Sequence, residues 1–229
     1  MKSDLSHLKY CLPVIQPSVG AVIDQIKAAP HDYQIIEVWL DYVTDITVEG
    51  LEKILHSIKE ATPLILFRRQ NLDHMHLTAE RRMELIKALP DTVMLDFDIR
   101  HQQHDILQCR QARPDLTLIL SSHNYQQTPS DEELGHIIDE MERAGATIYK
   151  FSTFCQSEHD ALRLMNLLLK LRAAGKRATV LGMGPHGKAT RVIGPLWGSE
   201  IAYAPYDMAN SSAPGQLSLQ QLSSILREL

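Results

Sequence analysis

Residues 116–151, LTLILSSHNYQQTPSDEELGHIIDEMERAGATIYKF, decide the fold. The run 116–121 is apolar but for Thr117 up to its closing serine, the pattern of a strand buried on both faces. From 131 to 143 the period changes to that of a helix, opened by Ser130 as a candidate N-cap with acidic residues behind it. Gly145 then suits the helix C-terminus, and a second apolar run follows at 147–151. Strand, helix and strand in this order form one unit of a parallel sheet.

The same unit recurs outward in both directions. Apolar runs at 10–15, 34–40, 63–67, 93–97, 178–183 and 201–204 complete a set of eight candidate strands. Helical patterns lie near 18–28, 47–60, 78–88, 102–112, 158–173 and 217–228, with a short one at 187–193. Thr47 and Ser157 are further candidate N-caps, and Gly175 a further helix end. Buried parallel strands joined by helices build either a closed barrel or a doubly wound open sheet. Eight such units in 229 residues favour the barrel. No linker, low-complexity tract or repeat marks a boundary, and 204–216 reads as a loop. The expectation is therefore an α/β protein, a (β/α)8 TIM barrel forming a single catalytic domain over residues 1–229.

Composition narrows the class of function. A net charge of -5, from 23 basic and 28 acidic residues, argues against a nucleic-acid partner. The N-terminal MKSDLSHLKY has no apolar signal-peptide run, and no later segment is apolar for long enough to span a bilayer. A soluble, cytoplasmic protein without a membrane partner is expected. Cys11, Cys109 and Cys155 are far apart and show no CxxC spacing, so they read as small buried hydrophobes. His74 and His76 form only an HxH pair in a polar loop, and no metal site is expected.

In such a barrel the active site collects at the C-terminal ends of the strands. Polar residues interrupt the apolar runs there: Glu37 and Asp41 on strand 2, Arg68 and Arg69 on strand 3, His123 on strand 5 and Lys150 on strand 6. Arg191 follows in the loop after strand 7. Taken alone, Lys150 reads as a strand-end lysine snorkelling to solvent. Buried among polar companions it has another use. Burial is expected to lower its pKa, and a neutral amine can attack a ketone to form an electron-withdrawing iminium. His123 is placed to take and return protons. Glu37, an acid inside an apolar strand, needs a partner, whether an imine-polarising role or a structural salt bridge supplies it. The glycine-rich VLGMGPHGKATRVIG leads into Arg191, whose guanidinium suits bidentate capture of a carboxylate; a phosphate site is the competing reading.

In order along the chain, EVWLD, LFRR, SSHNYQQTP, YKFST, MGPHGKATR, WGS and SAPGQ span positions 37–216. This series resembles the motifs of type I 3-dehydroquinate dehydratase. The resemblance implies an enzyme of the shikimate pathway that removes water from 3-dehydroquinate without metal or organic cofactor, as a homodimer. Carried over motif by motif, Lys150 would form the imine and His123 would act as general base and acid. Glu37 and Arg68 match site residues on strands 2 and 3. Arg191, Ser212 and Gln216 match positions that hold the substrate carboxylate and close the lid, and Met183 and Tyr203 would wall the pocket.

Two features depart from that pattern. Trp39 stands where the family typically has an arginine, and Arg69 is the expected replacement for the lost charge. The strand 3 arginine is followed by RQNLDHMH rather than by a Glu-Gly-Gly turn whose glutamate orients the catalytic histidine; Asp73 is the nearest carboxylate. A Schiff-base aldolase on the same barrel, or a catalytically weakened relative that binds a shikimate-like ligand, are the competing readings.

Overall fold

The computed structural model describes residues 6–228. Its strands are β1 (Lys9–Val14), β2 (Ile35–Trp39), β3 (Thr62–Leu66), β4 (Met94–Asp98), β5 (Thr117–Asn124), β6 (Ile148–Phe154), β7 (Ala178–Met183) and β8 (Ile201–Tyr203). The helices are α1 (Val19–Ala28), α2 (Val48–Ser57), α3 (Ala79–Lys87), α4 (Gln103–Ala112), α5 (Asp131–Arg143), α6 (Glu158–Ala173), α7 (Gly184–Gly187), α8 (Thr190–Leu196) and α9 (Leu219–Glu228). Every expected strand and helix has a counterpart. The short helical pattern at 187–193 resolves into two pieces, the single turn of α7 and the longer α8. The ends of the expected 1–229 domain, residues 1–5 and 229, lie outside the described residues.

All eight strands are parallel, in the order β7-β6-β5-β4-β3-β2-β1-β8, with β8 paired to β1. The gap between β7 and β8 is spanned by the Glu200 amide donating to the Ala178 carbonyl and by Thr179 Oγ1 accepting from the Ile201 amide. This is the single-domain (β/α)8 barrel expected from the sequence, nearly closed.

Local chemistry explains the helix starts. Ser130 caps α5 in a full capping box with Glu133, and Thr47 accepts from the Gly50 amide at the start of α2. Ser157 stands at the N-cap of α6 but its side chain makes no cap bond; Asp160 accepts from the Gln156 amide just upstream. Gly145 and Gly175 follow α5 and α6 with φ of 78° and 70°, the left-handed geometry that closes a helix without a Cβ clash.

The period-two alternation of the strands sorts their side chains into two sets. Residues such as Leu12, Val38, Ile65, Phe97, Leu120, Phe151 and Val180 point outward into the main core beneath the helices. Cys11, Ile35, Leu64, Met94, Ile119, Ile148, Leu181 and Ile201 point inward, one from each strand, and fill the barrel with an apolar plug. Stepping two residues onward from the plug keeps the inward face and reaches Glu37, Asp96, Ser121 and Lys150. One more step reaches Trp39, Arg68, Asp98, His123 and Ser152. The barrel is thus dry at its floor and polar at its C-terminal mouth. The three cysteines are free and buried, as expected.

Candidate active site at the barrel mouth

The polar mouth surrounds a small cavity lined by Glu37, Trp39, Arg68, His123, Tyr125, Lys150, Ser152, Leu181, Met183, Arg191, Tyr203, Ser212, Ala213 and Gln216. All nine residues selected from the sequence as catalytic or substrate-binding are among them. They come from five strands, the segment just past β3, helix α8 and the loop after β8, so only the closed barrel assembles them. The cavity measures about 30 Å³, whereas a dry cavity that admits benzene measures about 150 Å³. A ring-sized ligand therefore requires groups lining the mouth to shift, and the loop after β8 contributes several of them. That loop carries Ser212 and Gln216, locked to each other: Gln216 Nε2 donates to Ser212 Oγ at 2.9 Å, and the Ser212 amide donates to Gln216 Oε1 at 2.8 Å.

Lys150 lies at the centre, 4% exposed. Its Nζ donates to Asp96 Oδ2 at 2.6 Å and to Glu37 Oε1 at 3.4 Å, and sits 4.2 Å above the centre of the Tyr203 ring. Burial opposes its charge, but the carboxylates of Asp96 and Glu37 outweigh burial and hold its pKa above the ordinary value. This corrects the expectation of a neutral amine: the resting lysine is an ammonium ion clamped by two carboxylates. Those carboxylates are themselves fixed. Ser121 Oγ donates to Asp96 Oδ1 at 2.5 Å, and the Trp39 indole donates to Glu37 Oε2 at 2.8 Å.

His123 faces Arg68, whose Nη1 and Nη2 lie 2.5 and 2.7 Å from Nδ1 and Nε2, and its Nδ1 lies 3.3 Å from Asp98 Oδ2. A neutral imidazole has one donor and one acceptor. With the proton on Nδ1 the ring donates to Asp98 and accepts from Arg68 Nη2 at Nε2, but Arg68 Nη1 then faces Nδ1 donor to donor, so no single tautomer serves all three contacts. Burial, with the Arg68 charge second, pushes the His123 pKa down to about 4, against the pull of Asp98. The resting ring is therefore neutral at neutral pH, with its Nε2 facing Arg68.

Arg191 is also 4% exposed, and its Nε and Nη2 find no partner. Burial lowers its pKa to about 10, still a cation at neutral pH. Among the described residues it makes no ion pair: the carboxylates of the mouth serve Lys150 and His123 instead. An unpaired buried guanidinium carries a large desolvation cost that an anionic ligand would relieve. The Tyr203 hydroxyl is likewise unpartnered.

Two expectations about the departures are overturned. Arg69 does not supply a charge to the cavity; its Nε donates to Asp41 Oδ2 at 3.0 Å and its guanidinium lies 4.6 Å from the Tyr42 ring centre. Asp41, expected at the mouth, is consumed by that pair and by the amides of His76 and Leu77, which tie down the β3–α3 connection. Asp73 is exposed and does not back His123. The carboxylate that does is Asp98, which the sequence reading missed along with Asp96. Their signal lay in MLDFD, where two acids alternate with Leu95 and Phe97 at the strand period and hence share the inward face.

Among the described residues no cluster of His, Cys, Asp or Glu is arranged to hold a metal ion, and no helix is long and apolar enough to cross a membrane.

Comparison with known proteins places this geometry in a family. Residues 10–229 match the family model described as type I 3-dehydroquinase. The 3-dehydroquinate dehydratase of Methanosarcina acetivorans is 32% identical over 214 residues, covering 89% of this chain and 88% of that protein. That of Methanococcus maripaludis (strain C7) is 30% identical, covering 95% and 98%. Among solved structures, the type I 3-dehydroquinate dehydratase of Clostridium difficile superposes with a TM-score of 0.83 at 22% identity, covering 99% of this chain and 92% of that one. A matching barrel and a family match that runs from β1 to the chain's end leave one assignment: this chain belongs to the type I 3-dehydroquinase family, whose members are hydro-lyases.

Proposed function

We propose that the protein dehydrates 3-dehydroquinate to 3-dehydroshikimate in the shikimate pathway, through an imine on Lys150, with His123 as general base and acid. The observation that carries this reading is one buried cavity holding a lysine, a neutral histidine and an arginine with unpaired donors.

The substrate's carboxylate takes the unpaired Arg191 donors, and Ser212 and Gln216 exchange their mutual bonds for bonds to the ligand as the loop closes over it. Lys150 must first lose a proton, and Asp96, at 2.6 Å, is the nearest acceptor. The free amine adds to the ketone, and loss of water forms the iminium. This acidifies the neighbouring carbon. Arg68 turns from His123 to the ligand, freeing Nε2 to remove the α-proton. The resulting enamine expels the β-hydroxyl group, to which His123 returns the proton, and water then hydrolyses the imine to restore Lys150. Glu37, held by Trp39, stays close enough to balance the iminium charge. Met183 and Tyr203 wall the ring in. In this reading residues 1–229 form one cytoplasmic catalytic domain, acting as a homodimer without metal or organic cofactor.

The test is incubation with 3-dehydroquinate, reduction with borohydride and location of the adduct by mass spectrometry. An adduct on Lys150, lost in Lys150→Ala, is expected together with dehydration. Turnover without any label on Lys150 would refute the imine mechanism. A labelled but inactive protein would mark a weakened relative, and inertness toward dehydroquinate would favour an aldolase.

A further inference from the structure

The catalytic histidine is connected to the outside of the barrel by a second histidine. At the end of β4 the chain turns sharply over Asp98–Gln102. Asp98 is 1% exposed and its two oxygens are used differently. Oδ1 accepts from the amides of Arg100 and His101, each at 3.1 Å, and lies 2.7 Å from His101 Nδ1. Oδ2 faces inward to His123 Nδ1 at 3.3 Å. The buried Gln102 completes the turn by accepting from the Asp98 amide at 2.9 Å. The His101 side chain is 54% exposed, against 4% for His123. A continuous path of polar contacts thus runs from solvent through His101 and Asp98 to the ring that faces the cavity.

We propose that Asp98 and His101 are positioning residues for His123: Asp98 sets its tautomer and balances its charge when it takes up a proton, and His101 regulates how much of the Asp98 charge reaches it. This rests on the reading of His123 as the proton-transfer group.

The physical argument concerns one carboxylate shared by two imidazoles. Protonation of His123 is opposed by burial, by the adjacent Arg68 just past β3 and by the Lys150 ammonium of β6. Asp98 acts in the opposite sense by hydrogen bond and charge, and Asp96 of the same strand is occupied by Lys150 and Ser121. Tyr125 stacks near the ring at 6.3 Å between centres without adding charge. Burial works against the Asp98 charge, but contacts from His123, His101 and Arg68 hold its carboxyl well below the usual range, so it is anionic at neutral pH. His101 Nδ1 lies 2.7 Å from Oδ1 of the same carboxylate, so it draws on charge that would otherwise serve a protonated His123 through Oδ2 at 3.3 Å. The surface residue thereby adjusts the basicity of the buried one.

The relay is read directly from the resting protein by nitrogen-15 NMR of its histidines, with no substrate present. The proton of His123 is expected on Nδ1, and the His123 titration should shift when His101→Gln removes the outer imidazole. Asp98→Asn keeps an oxygen to cap the turn but removes the charge, and should lower the His123 midpoint. With 3-dehydroquinate, Asp98→Asn should reduce kcat about 10–100-fold, the range for loss of a partner that orients a ligating or reacting group, with KM altered less than threefold. Borohydride trapping at Lys150 should persist. His101→Gln, a surface change, should reduce kcat by only a few-fold and shift the inflection that His123 gives its pH profile. A His101→Gln protein whose His123 titration and pH profile overlay those of the parent overturns the role of His101. An Asp98→Asn protein that is folded and keeps the parental tautomer and kcat overturns that of Asp98. If the parent fails to dehydrate the substrate, the functional reading falls, while the NMR arm still decides the coupling.

Discussion

At the scale of single residues, burial and pairing contend at each titratable group, and the winner differs from one to the next. Lys150 and His123 are equally enclosed, yet Asp96 and Glu37 keep the lysine charged, while burial and Arg68 keep the histidine neutral. A histidine held neutral in the fold has a stability consequence whose sign follows from linkage. As pH falls below the ordinary histidine value of about 6.5, the unfolded chain gains a proton that the folded ring refuses until about pH 4. Stability at this site is therefore fully present above about 6.5 and is lost progressively between about 6.5 and 4, by on the order of 3 kcal/mol at ~1.4 kcal/mol per pH unit. Urea denaturation of the parent and of His123→Asn across this range checks it: the parent should show the steeper loss. Parallel slopes would mean that the ring protonates as readily folded as unfolded. Of the residue-level chemistry, the identity of the lysine, histidine and arginine was legible because charged groups interrupt apolar runs. Their charge states were not, since those depend on neighbours brought from distant strands.

At the scale of elements, the connection after β7 shows how glycines aim a side chain into the cavity. A Cβ on Gly182 would lie 2.6 Å from Gly187 Cα and 2.9 Å from Cys155 Sγ, so the end of β7 and the turn of α7 touch backbone to backbone. Thr190 ties the same contact, with its hydroxyl donating to the Gly187 carbonyl and accepting from the Gly182 amide, both at 2.7 Å. The next residue is Arg191, and this stitching points it into the cavity. Gly182→Ala should cost about 1–3 kcal/mol, the usual range for overpacking, and should raise KM more than it slows imine trapping. Thermal denaturation and steady-state kinetics measure the two effects; an unchanged melting temperature would show that α7 gives way freely. The sequence shows this stretch as glycine-rich, a pattern equally suited to phosphate binding, because spacing alone does not reveal that the glycines meet each other.

At the scale of the molecule, the barrel has one weak seam. β5 and β6 share six registered pairs, while β8 has three residues, pairs only with β1 and meets β7 through the sparse bonds around Glu200 and Thr179. Local opening follows the elements with the fewest protected bonds. Amide exchange should accordingly be faster at Ile201–Tyr203 than at Ile119, Leu120 and Tyr149. The seam borders the site directly, since Tyr203 lies against Lys150 and the mouth loop follows β8. Hydrogen-exchange mass spectrometry with and without 3-dehydroquinate resolves this. Equal protection of β8 and β5 in the free protein would show the barrel to be evenly closed.

The sequence by itself determined the type and order of the elements, because apolar period, capping residues and helix-ending glycines are local properties; only the division of the segment after β7 into α7 and α8 escaped it. It also pointed to the lysine, histidine and arginines of the mouth, since charged groups interrupt the apolar runs there, but it passed over Asp96 and Asp98 and placed Asp41 and Arg69 there in error. Tertiary structure alone decided which of these residues touch. Lys150 meets Asp96 and Glu37 across separations of 54 and 113 residues, and Arg68 meets His123 across 55. Arg69 turned to Asp41, Asp98 took the place sought for Asp73, and the lysine kept its proton. Each outcome depends on distances of a few ångströms across the closed barrel, where pairwise electrostatics in a dry interior outweigh the intrinsic preference of any one side chain.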